Sequence, residues 1–277
     1  MQRHFPRTRI ETDVSSRPAR CGIRIDNFLS QHECRQLIEA AETNAGSRLL
    51  PLSQEYPQHY RSGKRFLMLA PEFVDVMWQR LSPLFNRTEK QGMVPFGHEK
   101  STRWEPCGIN PMLRITKYDP GDKFSPHRDS AFVAAPGIES AMTLLVYLNQ
   151  DCEGGHTVFY QDTSISHVVP GQNIKLRHVP QTGAALLFPH DVIHAGDTVE
   201  RGYKYILRCD VLFEHKGELK RSLRTILTGE SVENKTGDNA TLLKAIRLSR
   251  RLGPLEQLTI RTNDDLDQVT SSVMHML

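Results

Sequence analysis

Tyr203-Lys-Tyr-Ile-Leu-Arg-Cys-Asp-Val-Leu-Phe213 is the longest β-type run of the chain. Successive strand side chains point to opposite sides, so Lys204, Ile206 and Arg208 share one face, and Tyr205, Leu207 and Cys209 the other. Upstream, shorter runs of the same kind recur: 112–118 alternates, 141–148 ends at Asn149, 156–160 follows Gly154-Gly155, and 184–188 ends at Pro189. Many short strands punctuated by Gly, Pro, Asp and Asn predict an all-β sandwich or barrel.

The flanks read differently. Residues 1–20 are polar, with Pro6, Pro18 and several arginines, and are expected to form a flexible arm. Over 21–110 a mixed helical and strand support region is expected: 22–28 alternates like a strand, and Ser30-Gln-His-Glu33 is a capping box before Cys34, Leu37, Ile38 and Ala41. A second helix is predicted over 72–81, with Phe73, Val76, Met77 and Leu81 on its core face. The catalytic core is expected over 111–216. A helical extension over 217–277 follows, with candidate helices at 218–227, 241–252 and 265–276.

Composition narrows the class. A chain of 277 residues can bury a sizeable core. Its 24% charged and 38% hydrophobic residues are ordinary globular usage, and a net charge of +3 gives no argument for a nucleic-acid partner. Five scattered cysteines without a CxxC pair fit a reducing compartment, so an intracellular, cytoplasmic setting is expected. No apolar run approaches the roughly 20 residues of a membrane span, and the start lacks the apolar stretch of a secretory leader. No membrane partner is expected, and the oligomeric state is not legible.

The chemistry concentrates in Tyr118-Asp-Pro-Gly-Asp-Lys-Phe-Ser-Pro-His-Arg-Asp129. On a strand, His127 and Asp129 would stand side by side with Arg128 turned away. A His-x-Asp pair is also explained by one buried hydrogen bond, so a third ligand matters. His194 is preferred over its rival His190, because Ala195-Gly196 after it let the backbone pass close to a bound group, whereas His190 beside Pro189 and Asp191 suits a turn or a solvent-facing role. Two imidazoles and a carboxylate suit a non-haem Fe(II) centre with open positions, and a catalytic zinc shares that ligand identity. Lys204 or Arg208 could pair with a carboxylate of a co-substrate, since a buried lone ammonium is expensive.

Four pieces in order, Tyr118-x-x-Gly121-x-x-Phe124-x-x-His127-x-Asp129, Thr143-Leu-Leu-Val-Tyr147-Leu148-Asn149, Gly154-Gly155-His-Thr157-x-Phe159 and His194-Ala-Gly196-x-x-Val199-x-x-Gly202-x-Lys204, resemble the prolyl 4-hydroxylase-like branch of the Fe(II)/2-oxoglutarate-dependent dioxygenases. His156 replaces the usual acidic residue of the third piece. The resemblance covers roughly residues 111–214. It implies a mainly β fold: a double-stranded β-helix, or jelly roll, flanked by α-helices at its N- and C-terminal sides. It implies Fe(II) held by His127, Asp129 and His194, with 2-oxoglutarate and O2 as co-substrates and Lys204 on the distal carboxylate. Tyr118, Tyr147 and Thr157 match further co-substrate positions, and Arg208 is either a second carboxylate partner or a substrate contact.

The reaction so implied is hydroxylation of a C–H bond, or another two-electron oxidation, with 2-oxoglutarate converted to succinate and CO2. The substrate is a peptide or protein, or a small amino-acid-like molecule. Residues 130–139 and 47–64 are the expected selectors, and Tyr56, Tyr60, Arg61, Lys64 and Arg65 would suit an extended peptide or lie in a solvated loop. The competing reading is a non-catalytic metal-binding β-barrel that acts as an interaction module through its C-terminal tail.

Overall fold

The structure is a computed structural model that describes residues 22–43, 49–85, 94–95, 98, 102–161 and 164–216. The expected arm at 1–20 and the expected C-terminal helices lie outside the described residues. In chain order the elements begin with β1 (Ile23–Ile25), α1 (Gln31–Thr43), β2 (Leu50–Pro51), β3 (Lys64–Leu69), α2 (Pro71–Phe85), β4 (Trp104–Ile109), β5 (Met112–Tyr118) and β6 (Phe124–His127). They continue with β7 (Val133–Ala135), β8 (Ile138–Tyr147), β9 (Cys152–Gly154), β10 (Thr157–Tyr160), β11 (Ile174–His178), β12 (Ala185–Pro189), β13 (His194–Gly196), β14 (Val199–Gly202) and β15 (Lys204–His215). No described helix is long and apolar enough to cross a membrane.

The chain forms two compact units. The first gathers Met1–Leu67, Leu113–Ser130 and Met142–Cys209. Its strands make one sheet in the order β1-β12-β8-β15-β5-β3-β2 and another in the order β11-β10-β13-β6. The chain passes between the two sheets from β5 to β6, from β6 to β7, from β8 to β10, from β11 to β12, from β12 to β13 and from β13 to β15. This is a mainly β jelly roll, as the β-rich runs predict. Between the sheets pack Tyr118, Leu145, Phe159, Leu186, Phe188 and Ile206, all buried, with Phe159 and Phe188 edge to face at 5.1 Å. Each such side chain stabilises the fold by about 1.5–3 kcal/mol.

Helix α1 belongs to this unit and starts as its capping box dictates. The Ser30 N–H donates to Glu33 Oε2 at 2.8 Å and the Glu33 N–H donates back to Ser30 Oγ at 3.2 Å. Cys34, Leu37 and Ala41 are buried, while Ile38 is half-buried at the edge of the stripe.

The second unit gathers the described residues within 68–112, 131–141 and 210–216. Helix α2 buries Val74, Met77, Leu81, Leu84 and Phe85, and Phe85 meets Phe213 edge to face at 6.0 Å. The predicted face is rotated: Val76 is 39% exposed and Val74 takes its place, because the helix continues to Phe85 and the stripe follows 74, 77, 81 and 84. Strand β4 pairs with Val211–His215 of β15. The stretch 130–139, expected as an irregular loop, instead contains β7, which turns through Gly137 (φ 73°) to pair with the start of β8.

Candidate active site

Register sets the site. In the larger sheet Lys204 pairs with Tyr118, Ile206 with Thr116 and Arg208 with Arg114, so one inward face carries Tyr118, Lys204 and Arg208 together. In the smaller sheet His194 pairs with His127, and Thr157 with Gly196. A cavity between the sheets of the first unit is lined by residues that include His127, Asp129, Thr143, Thr157, His194, Lys204 and Arg208. The alternation of 203–213 groups Lys204, Ile206 and Arg208 on one face, and all three line this cavity.

His127 closes β6, and Asp129 lies just beyond the strand. The expectation of a pair at the start of a strand is corrected here: Pro126 precedes His127, and the chain leaves the sheet once its last ladder partner, His194, is met. Asp129 is held instead by its backbone N–H, which donates to the His190 carbonyl at 3.1 Å. Arg128 turns outward and its Nε donates to the Asp191 carbonyl at 3.1 Å.

One ligand atom from each of His127, Asp129 and His194 lies within 4.8 Å of the others, an arrangement that could hold a metal ion. Nε2 of His127 is 3.7 Å from Asp129 Oδ1, and Nε2 of His194 is 3.7 Å from Oδ2. The opposite ring nitrogens fix the tautomers. Nδ1 of His127 donates to the Ser125 carbonyl at 2.8 Å and Nδ1 of His194 to that of Val192 at 3.0 Å, which leaves both Nε2 lone pairs for the site. Rings clamp the same imidazoles: Phe124 stacks on His127 at 3.5 Å and Phe188 meets His194 edge-on at 4.6 Å.

Electrostatics keep the set ready to bind a cation. Burial alone would raise the Asp129 carboxyl, but the Arg208 guanidinium, then His194 and His127, outweigh it and hold the group well below the usual carboxylate range. Arg208 Nη2 is 2.9 Å from Asp129 Oδ1, and the Thr143 hydroxyl donates to Oδ2. Burial first, and His127 second, push the His194 imidazole down to about 3, so it is neutral at ordinary pH. Two imidazoles with their Nε2 atoms turned to the site and one ionised carboxylate are a donor set that fits Fe(II).

The rival His190 stays out of the set. It is buried, only 2% exposed, so the solvent-facing role expected for it is corrected; its contribution is the carbonyl that fixes Asp129. Lys204 is 3% exposed and makes no ion pair with a described residue; its Nζ sits 5.3 Å from the Tyr118 ring centroid and 5.8 Å from that of Tyr147. Burial pushes its ammonium down to about 8. A Cβ on Gly155 (φ 63°) would lie 3.1 Å from Lys204 Cδ, so the glycine lets the lysine stem pass.

The remaining expected contacts divide. Tyr118 and Thr157 line the cavity, whereas Tyr147 does not, and its hydroxyl donates to Thr157 Oγ1 at 2.7 Å. Arg208 reaches the Asp129 carboxylate. Two residues bear on the site in ways the sequence reading did not give: Thr143 stood there only inside a motif, and Arg61 only in a stretch that would suit an extended peptide or lie in a solvated loop. Thr143 was legible as an inward position two before Leu145 on β8, but its bond to Asp129 depends on the facing sheet. Arg61, which also lines the cavity, comes from a stretch with no local signal of burial.

Residues 113–209 match the family model described as 2OG-Fe(II) oxygenase superfamily, a segment that contains all of the candidate ligands and Lys204. A fowlpox virus protein (strain NVSL) of uncharacterized role is 33% identical over 118 residues, which is 43% of this chain and 25% of that protein. An Acanthamoeba polyphaga mimivirus protein bearing the name "Putative prolyl 4-hydroxylase" is 27% identical over 146 residues, 46% of this chain and 50% of its own length. The chain thus spans half or less of these curated relatives. Among solved structures, the collagen prolyl hydroxylase of Paramecium bursaria Chlorella virus-1 aligns at 22% identity and TM-score 0.44, covering 69% of this chain and 94% of its own. A prolyl hydroxylase from Trichoplax adhaerens, in complex with a hypoxia inducible factor peptide fragment, aligns at 18% and 0.48, covering 74% and 87%. At such scores neither substrate nor chemistry passes to this chain.

Proposed function

We propose that this chain is an Fe(II)- and 2-oxoglutarate-dependent dioxygenase that hydroxylates a C–H bond, prolyl-hydroxylase-like, of a peptide, protein or small amino-acid-like substrate. The observation that carries it is one cavity shared by two tautomer-fixed imidazoles, an ionised carboxylate and a buried lysine without an ion-pair partner. His127, Asp129 and His194 would hold the metal, and Lys204 would bind the distal carboxylate of 2-oxoglutarate. When bound, the iron with its keto acid and O2 supplies a two-electron oxidation in which 2-oxoglutarate becomes succinate and CO2, one oxygen atom enters succinate and the other the substrate.

The chain's own part is position. Ser125 and Val192 carbonyls orient the imidazoles, while Arg208 and Thr143 hold the Asp129 carboxylate in one plane. The lysine at the cavity wall fixes the keto acid end to end, and the packed rings of Phe159 and Phe188 keep water from the sheet interior. No general base is required. Succinate release from 2-oxoglutarate, dependent on added Fe(II), with a one-oxygen mass gain in a substrate screen, is the expected result. Failure to form succinate with any substrate, uncoupled turnover included, would favour a binding module instead.

A further inference from the structure

Arg61 is a cation buried beside this site with no carboxylate paired to it among the described residues. It is 6% exposed, its Nε is buried without a hydrogen-bond partner, and it forms no ion pair with a described residue. Its Cζ lies 4.2 Å from the Phe124 ring centroid and 4.9 Å from that of Tyr56, and Tyr60 meets Phe124 edge-on at 5.7 Å. Phe124 in turn stacks on His127, so the guanidinium is one ring away from a candidate metal ligand. The backbone fixes it there: Arg61 bridges to Phe124, and its N–H donates to the Pro57 carbonyl at 3.0 Å.

A lone buried cation is costly, and contacts with ring faces offset that cost only in part. The balance has to come from an anion in the working complex. In the loaded site proposed above, the two charges of 2-oxoglutarate match those of Fe(II), and Arg208 matches Asp129. Lys204 and Arg61 leave an excess of positive charge, and Lys204 already has its carboxylate. The planar guanidinium presents paired N–H donors that match a second carboxylate.

We infer that Arg61 is the substrate's carboxylate receptor: the molecule oxidised carries a carboxylate, as a free amino-acid-like acid or on a peptide. This rests on the dioxygenase reading. The test uses the full chain with Fe(II), 2-oxoglutarate and O2, and a panel of free L-amino acids, their carboxamides, and short peptides ending in carboxylate or amide, with and without acidic side chains. One-oxygen mass gain and succinate are followed together. Products are expected only among carboxylate-bearing members, and whether these are free acids or peptides identifies the source. Arg61→Met, which keeps an apolar stem against Phe124, is expected to raise the KM for that substrate about tenfold or more, with a smaller change in kcat and loss of preference over the amide. Arg61→Lys recovers part of the preference. The Tm of the unloaded Arg61→Met chain is expected to match or exceed that of the parent.

Equal oxidation of amides, or an unchanged KM in Arg61→Met, overturns the inference. So does a lowered Tm with carboxylate preference intact, which would make Arg61 a packing element only. A raised 2-oxoglutarate requirement equal to that of Lys204→Met would assign Arg61 to the co-substrate and also overturn it. Succinate formation with no carboxylate member oxidised overturns the inference and leaves the dioxygenase standing, whereas absence of succinate throughout overturns the dioxygenase reading itself.

Discussion

At the residue scale, the three candidate ligands differ in what secures them, and this orders the expected losses. His127→Ala and His194→Ala each remove a nitrogen and should abolish Fe(II) retention and succinate formation, read by metal content after gel filtration. His190→Ala should retain metal, because the contact that holds Asp129 comes from its backbone carbonyl, which the substitution keeps. Thr143→Val deletes one of two anchors on the carboxylate and should weaken Fe(II) binding roughly 10–100-fold, measured by competition with a chelating dye. Lys204 sets a pH dependence. Its folded value of about 8 lies below the usual lysine value, so the free site holds a neutral amine above that pH. A distal carboxylate binds the ammonium form, so 2-oxoglutarate affinity should be constant below about 8 and fall up to tenfold per pH unit above it, by calorimetry. For folding the sign is opposite: the buried charge destabilises the unloaded chain below about pH 8, and that penalty is relieved as pH rises toward the unfolded value near 10.4. Lys204→Met should erase the difference between these pH values.

At the element scale, local signals served where they act locally. The Ser30 and Glu33 box needs only four residues to be seen, and Ser30→Ala should cost about 1 kcal/mol in urea unfolding. The alternation of 203–213 divided Lys204, Ile206 and Arg208 from Tyr205, Leu207 and Cys209, a grouping that β15 keeps although both of its faces are largely buried. Other elements gave no such signal. Strands β3, β4 and β11 were not read as strands: Lys64-Arg65 and Lys175 dilute the alternation, and Pro106 and Gly108 interrupt β4. The turn that carries Asp129 off β6 is set by a hydrogen bond to a residue 61 positions later, which no window along the chain contains.

At the scale of the whole molecule, the grouping of His127, Asp129 and His194 was legible because motifs carry its spacing, while Thr143 and Arg61 reach the site only when two sheets face each other. A site assembled this way links binding to folding. With Co(II) and 2-oxoglutarate each at a hundred times its dissociation constant, each ligand should add about 2.7 kcal/mol to stability, seen as a rise in Tm that the His127→Ala chain lacks. The pairing of Asp129 with Arg208 has a further consequence, for the choice between transition metals and hard ions such as magnesium and calcium. Those hard ions are drawn by several free oxygen donors and by net negative charge. Here the lone carboxylate is already matched by a guanidinium and a hydroxyl, and the other donors are imidazoles. The pocket therefore discriminates before any metal arrives, favouring nitrogen-seeking transition ions and turning away the alkaline earths.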